Sequence, residues 1–338
     1  MANVASSYVI QNPSYIVPEI LTQYQQASGA FEVLAGGDPM VRLSDGDLQV
    51  YIKHLDIRTK VGAGQSAGNL LPGVSVTNDM ISTPTYLLRV RAEYDHHDTA
   101  AMGRWGISIV EAQRLGMRQG IFQQLRGGLL QGFTPANGEG LLNTQGATTL
   151  NLPADSNGNT TISTYDSGQL AQFILNQIAA AKVRTMQVGI PLRVTVLTTQ
   201  RVMTQLAYQI VQLVQFQRPG AGSGSPGVVV DTAAGWNGDE IVWVTDDTLI
   251  GQGAGGTDVI MITIPEVKKP IAHKLNTNEF SKLTPGLAAC NLQYMDMAAP
   301  RELPCPLPGG AIDITSELRA TSGWAVRPEA LTIISAGY

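Results

Sequence analysis

The sequence has few charged residues, few cysteines and no long hydrophobic run, and each shortage excludes a class of protein. Charged side chains make up 14% of the 338 residues, against about 25% in an average soluble domain. Because charge keeps soluble proteins apart, we interpret this shortage as a sign that other subunits cover much of the surface. Two cysteines, Cys290 and Cys305, are too few for a disulfide scaffold or a cysteine-rich zinc site, and we expect both to be buried. No run of 18 apolar residues and no secretory signal is visible, so we expect no membrane association.

What the chain does contain is apolar residues, turns and a locally positive segment. Hydrophobic residues make up 43%, with 36 glycines and 18 prolines, a composition that excludes charge-driven disorder, coiled coils and collagen-like repeats. The formal net charge is −5. Residues 89–131 alone have more arginines than acidic residues, six against four, so a non-specific nucleic-acid contact would be local.

The first third of the chain reads as an arm followed by a long β-hairpin. Residues 1–46 are interrupted by proline and glycine, and they predict an extended arm with apolar anchors such as Tyr8 and Ile16. Apolar and polar residues then alternate on both sides of a glycine-rich stretch, which predicts a hairpin over 47–95. An isolated two-stranded ribbon is marginal in water, so this hairpin needs partners. We expect the intersubunit end of the hairpin to carry Lys60, Gly62, Gly64, Gly68, Asn69 and Pro72.

A proline-free stretch from Ala100 to about Gln131 predicts one long helix, capped by Asp98 or Thr99. Such a helix would be about 48 Å long, and Gly116 and Gly120 are candidate bend points. Four arginines fall within an arc of about 120° on it. They are either a solvated face or a surface that meets DNA or another subunit: Arg104, Arg114, Arg118 and Arg126.

The remaining chain alternates helices and strands. Helices are predicted over 166–187 and from Thr198 or Thr199 to about Gln217, and a flexible loop over 219–227. Strands are predicted over 193–197, 241–244, 259–264, 287–295, 311–320 and 331–335.

Three patterns that resemble catalytic or ligand motifs do not fit the context that their chemistry needs. Gly64-Gln65-Ser66-Ala67-Gly68 has the spacing of a nucleophile elbow, but it lies in the predicted hairpin end and not between a strand and a helix. The histidines of His96-His97-Asp98 would point apart on a helix or a strand, and the glycines over 251–256 lack the lysine of a phosphate loop. We therefore predict no catalytic, cofactor-binding or metal-binding residues, no cofactor and no enzyme activity.

Two short segments and the order of the elements carry a family resemblance. Gly140-Leu141-Leu142-Asn143 follows the long helix. Trp324-Ala325-Val326-Arg327-Pro328-Glu329-Ala330-Leu331 has an aromatic residue before an Arg-Pro turn and a closing apolar strand. Together with the arm, hairpin and long helix, these segments resemble a major capsid protein of a tailed double-stranded DNA bacteriophage, with the Hong Kong 97-type shell fold.

The resemblance implies an α+β fold in five parts: an N-terminal arm (1–46), an extended loop (47–95), a peripheral domain with a spine helix (96–165), an α/β axial domain (166–267) and strands that return to the peripheral domain (268–338). It also implies a subunit that assembles into hexamers and pentamers of an icosahedral virion shell in the bacterial cytoplasm. Expected partners are scaffolding, portal and decoration proteins, and packaged DNA bound without sequence specificity. The alternatives are an encapsulin-like compartment shell, another phage structural protein or a hydrolase.

Overall fold

The computed structural model describes residues 29–34, 41–59, 74–104, 106, 108–185, 187, 189–208, 226–266 and 290–338. The predicted end of the hairpin, Lys60 to Pro72, lies outside these residues, and so does the motif around Ser66. The strands are β1 (Val41–Arg42), β2 (Gln49–Thr59), β3 (Val74–Tyr94), β4 (Thr148–Asn151), β5 (Arg193–Thr198), β6 (Glu240–Thr245), β7 (Asp258–Thr263), β8 (Leu292–Gln293), β9 (Met295–Asp296), β10 (Arg301–Pro306), β11 (Ile312–Thr321), β12 (Trp324–Ala325) and β13 (Leu331–Ala336). The helices are α1 (His96–Gly103), α2 (Ile109–Leu130), α3 (Ser167–Arg184), α4 (Gln200–Tyr208) and α5 (Pro226–Trp236).

The predicted hairpin is present, and its base is built into a larger sheet. β2 pairs antiparallel with β3 from Gln49 opposite Pro84 to Thr59 opposite Val74. The other half of β3 pairs with β11, which also pairs with β10. Pro84 marks the point where the hairpin leaves this sheet. The Thr85 N–H points to β2, where it donates to Leu48, so the backbone nitrogen of Pro84 faces the β11 side and has no hydrogen to donate.

The predicted single helix is wrong: residues 96–130 form two helices. α1 ends at Gly103, α2 begins after Ser108, and Gly106 between them has a φ of 71°. The side chain of Ser108 accepts a hydrogen bond from the Glu111 N–H, which restarts the helix. The predicted bend points, Gly116 and Gly120, lie inside an unbroken α2.

The predicted cap of the first helix is also displaced by three residues. Asp95 accepts a hydrogen bond from the Asp98 N–H, and the Asp98 side chain accepts one from the Asp95 N–H. This reciprocal pair satisfies two backbone donors, which a cap at Asp98 alone could not do.

A second sheet joins distant parts of the chain, in the order β4-β13-β7-β5-β6. β13 pairs antiparallel with β7 and parallel with β4. The expectation that 268–338 returns wholly to the peripheral domain is therefore wrong for β13, and the boundaries at 166 and 267 cut through this sheet. α5 was not predicted, and its start overlaps the predicted loop 219–227. Proline is favoured in the first turn of a helix, where no N–H is needed, so Pro226 can open it.

Part of the predicted arm belongs to the core. Ala30, Val33 and Leu34 are buried in a 3₁₀ turn that contacts α2, β5 and β6, and Phe31 packs on Phe122 and Tyr294. Residues 1–28 lie outside the described part of the chain. The first core cluster brings this turn together with α2 and β11, and a second lies between α3 and the five-stranded sheet.

The two cysteines differ, which corrects the expectation that both are buried. Cys290 is buried, whereas Cys305 on β10 is exposed. None of the described helices is long and apolar enough to cross a membrane.

Candidate assembly surfaces

One face of the hairpin presents apolar side chains to solvent. Residues directly opposite each other on antiparallel strands share a face, and Tyr51 opposite Ser82 and Lys53 opposite Met80 place Tyr51, Val74, Val76 and Met80 together. Their exposed fractions are 59%, 65%, 60% and 59%. We call these four residues the hairpin face. An apolar face of this kind on a projecting ribbon is a candidate contact surface for another molecule.

Glu139 ties the base of the hairpin to the rest of the subunit. Its carboxylate accepts hydrogen bonds from the Tyr86 hydroxyl at 2.5 Å, from the Thr134 N–H at 3.2 Å and from the Ser322 hydroxyl at 3.0 Å. Burial and the bond to Glu139 raise the pKa of Tyr86, so this phenol stays a donor at neutral pH. One side chain thus links β3, the turn after α2 and the end of β11.

The two segments that carried the family resemblance contact each other. The Gly140 N–H donates to the Gly323 carbonyl at 3.1 Å. Gly140 has a φ of 87°, and a Cβ there would lie 2.3 Å from the Gln131 carbonyl carbon; a Cβ on Gly323 would lie 2.1 Å from the Leu129 oxygen. Both positions therefore require glycine.

Asn143 completes the turn after α2 from the first of these segments. Its side-chain amide donates to the Gln131 carbonyl at 2.8 Å and the Glu139 carbonyl at 3.1 Å. Leu141, in the same segment, is fully buried. The segment is thus a packed joint between α2 and β11.

The four predicted arginines do not form one open face. Arg114 and Arg118 both reach Glu302 on β10, at 3.1 and 3.5 Å, and Arg114 also contacts Glu111. Arg126 lies two turns further along α2, where the helix enters the core. It is 9% exposed, and its Nε lies 3.9 Å from the Asp246 carboxylate. Arg104 is exposed at the end of α1 and is not on α2.

Two ion pairs that hold the five-stranded sheet were not anticipated from the sequence. The Lys182 ammonium contacts both Asp239 carboxylate oxygens at 2.8 Å, and Asp239 also accepts from the Leu192 N–H at 3.0 Å. Lys182 is the charged residue nearest the end of an amphipathic helix, and that pattern usually denotes a solvated position. Its acidic partner is 57 residues away in sequence, so no local signal could reveal the pair.

The second pair joins Arg201 on α4 to Asp258 on β7. Both nitrogens of the Arg201 fork donate to the carboxylate, as does the Thr199 hydroxyl at 2.9 Å. Burial alone would raise the pKa of Asp258, but these hydrogen bonds and one from the Gly251 N–H outweigh it and hold the pKa below its ordinary value.

The remaining motifs do not form a chemical site. The rings of His96 and His97 stack at 3.9 Å on an exposed helix start, and Asp98 serves the cap. Within the described ranges, no group of three or more His, Cys, Asp or Glu side chains could hold a metal ion. The glycines of 251–256 form turns, and a Cβ on Gly253 would lie 2.9 Å from two backbone oxygens, so that glycine serves packing.

Comparison with solved structures assigns the fold. The chain matches the capsid of Myoviridae phage XM1 with a TM-score of 0.64 and 12% identity, covering 96% of both chains. It matches the capsid of the empty GTA particle (TM-score 0.59, 9% identity, 97% and 96% covered) and that of cyanophage P-SCSP1u (0.57, 11%, 96% and 93%). No protein-family model and no curated protein matches the sequence. The chain has the α+β fold of phage capsid proteins, which confirms the fold that the sequence predicted.

Proposed function

We propose that this chain is the structural subunit of a closed icosahedral shell, built from many copies of itself around the double-stranded DNA genome of a tailed phage. The observation that carries the proposal is that the similarity to capsid chains extends over nearly the whole of both chains. A fold shared from end to end leaves little room for an added catalytic domain. The subunit would act through its surfaces and not through a reaction.

The hairpin face supports this function on physical grounds. Its four side chains are each about 60% exposed, and an apolar face of this size gains stability when a neighbouring copy covers it. Glu139 and Pro84 determine where the projecting ribbon starts. In a closed shell every subunit would both extend a hairpin and receive one, so modest contacts add through their number.

The finer expectations remain part of this proposal. We propose assembly through hexamers and pentamers in the bacterial cytoplasm, with scaffolding, portal and decoration proteins as further partners. Of the four arginines, Arg104 and Arg118 keep exposed side chains, and these two are our candidates for contact with DNA or another subunit. If they face DNA, replacing both with glutamine will lower the DNA content of particles without lowering the particle yield.

Electron microscopy of negatively stained native material, with sedimentation, tests the function. We expect closed polyhedral shells tens of nanometres across that contain DNA. Shells that contain a protein cargo and no nucleic acid would instead identify an encapsulin-like compartment. A uniform 36 kDa monomer from native particles would contradict the shell.

A further inference from the structure

The last strand of one sheet edge lacks the hydrogen-bond donors that another strand would need. β10 pairs with β11 from Arg301 opposite Glu317 to Pro306 opposite Ile312. The turn beyond this pairing closes with the Leu307 N–H donating to the Ala311 carbonyl at 2.8 Å. Because hydrogen-bonded and non-bonded pairs alternate along an antiparallel ladder, residues 301, 303 and 305 bond to β11, and residues 302, 304 and 306 turn their backbone groups outward.

Two of these three outward positions are proline. Pro304 and Pro306 have no N–H, so the outer edge of β10 presents carbonyl oxygens and a single donor, on Glu302. Both prolines are exposed, and among the described strands β11 is the one that pairs with β10. The start of the strand is additionally held by an ion pair between Arg301 and Asp45 at 2.8 Å.

The other edge strand of the same sheet has no such block. β2 runs for 11 residues without a proline, and β3 is its one described partner. An unprotected edge is a template for pairing with another chain. The contrast within one sheet shows that proline at the outward positions of β10 is a local feature of that edge.

We propose that Pro304 and Pro306 determine assembly specificity by preventing strand addition from a second copy of this chain at β10. The inference rests on the proposed shell function for its consequence: copies that must meet in one fixed geometry cannot also join through sheet edges. Contacts across this edge would then use side chains alone.

The test replaces both prolines in the full-length chain, Pro304→Val with Pro306→Val. The matched control is Leu303→Val with Cys305→Val, which increases β-propensity in the same strand but adds no outward N–H. Particle yield and irregular aggregate are measured by sedimentation and negative-stain microscopy. We expect the proline variant to increase the aggregated fraction severalfold at the expense of regular particles, and the control to match the wild-type chain. Equal behaviour of the two variants would overturn the proposal.

A third variant separates donor blocking from strand stiffness. Pro304→Lys with Pro306→Lys also restores the outward N–H groups, but exposed lysines repel an incoming edge of the same chain. We expect it to restore regular particles relative to the valine variant. If it aggregates as much as the valine variant, proline acts through stiffness and the proposal is wrong. Failure of the wild-type chain to form particles would contradict the shell function alone, because strand addition by the valine variant would still appear as growth of soluble oligomers.

Discussion

The hairpin face allows a quantitative test of assembly with a single substitution, Val76→Lys. Full burial of a side chain of this kind stabilises by about 1.5–3 kcal/mol, so the exposed 60% of Val76 represents about 1–2 kcal/mol still to be gained from a neighbour. The four side chains of the hairpin face together represent about 4–7 kcal/mol per subunit by the same reasoning. Lysine forfeits the share of Val76 and adds a charge that must be desolvated. Since 1.4 kcal/mol is tenfold in an equilibrium constant, the subunit concentration needed for assembly should increase about tenfold or more.

The matched control is Val183→Lys on α3, where the valine is 63% exposed and lies outside the hairpin. Subunits of each variant are assembled over a concentration series, and the particle fraction is measured by sedimentation. Thermal unfolding of the unassembled subunits verifies that both variants fold. The reasoning is refuted if Val76→Lys assembles at the wild-type concentration, or if Val183→Lys impairs assembly equally.

Three further predictions concern stability. Asp239→Ala leaves Lys182 buried without its partner and should cost about 3–5 kcal/mol in urea unfolding, whereas Asp45→Ala breaks an exposed pair and should cost about 0–1 kcal/mol; equal losses would contradict the assignment. Gly323→Ala places a Cβ against the Leu129 carbonyl and should cost about 1–3 kcal/mol, which calorimetry can measure. The pKa of Asp258 is depressed below its ordinary 3.8, so its stabilisation is present above that pH and is lost as the pH falls through the lower, folded-state pKa. The stability advantage over Asp258→Asn should therefore shrink on acidification, and an advantage that grows would refute the sign.

Local patterns in the sequence predicted most of the regular elements. The alternation in β2 and β3, the helical spacing of α3 and the apolar run of β13 each depend on residues close together in sequence, so their bounds were predicted closely. The break between α1 and α2 was missed because glycine and serine within a proline-free stretch permit a helix and also permit its end. The reciprocal cap of Asp95 and Asp98 then decided where α1 begins.

The candidate surfaces were predicted less well, and burial is the reason. The arginine spacing on α2 was read correctly, but spacing does not reveal that the helix enters the core before Arg126 or that Glu302 lies across from Arg114. The strand β10 was not predicted, because its two prolines argue against a strand unless it lies at an edge. The edge position is itself a property of the sheet order.

The sequence by itself determined the class of fold, since periodicity and the order of elements follow from residues that are near one another in the chain. The tertiary structure alone decided which strands share a sheet, as with β13 and β7, and which charges are buried in pairs, as with Lys182 and Asp239. It also decided which apolar side chains remain uncovered on the hairpin. The physical reason is that each of these properties depends on groups far apart in sequence, and only the folded chain brings them within contact distance.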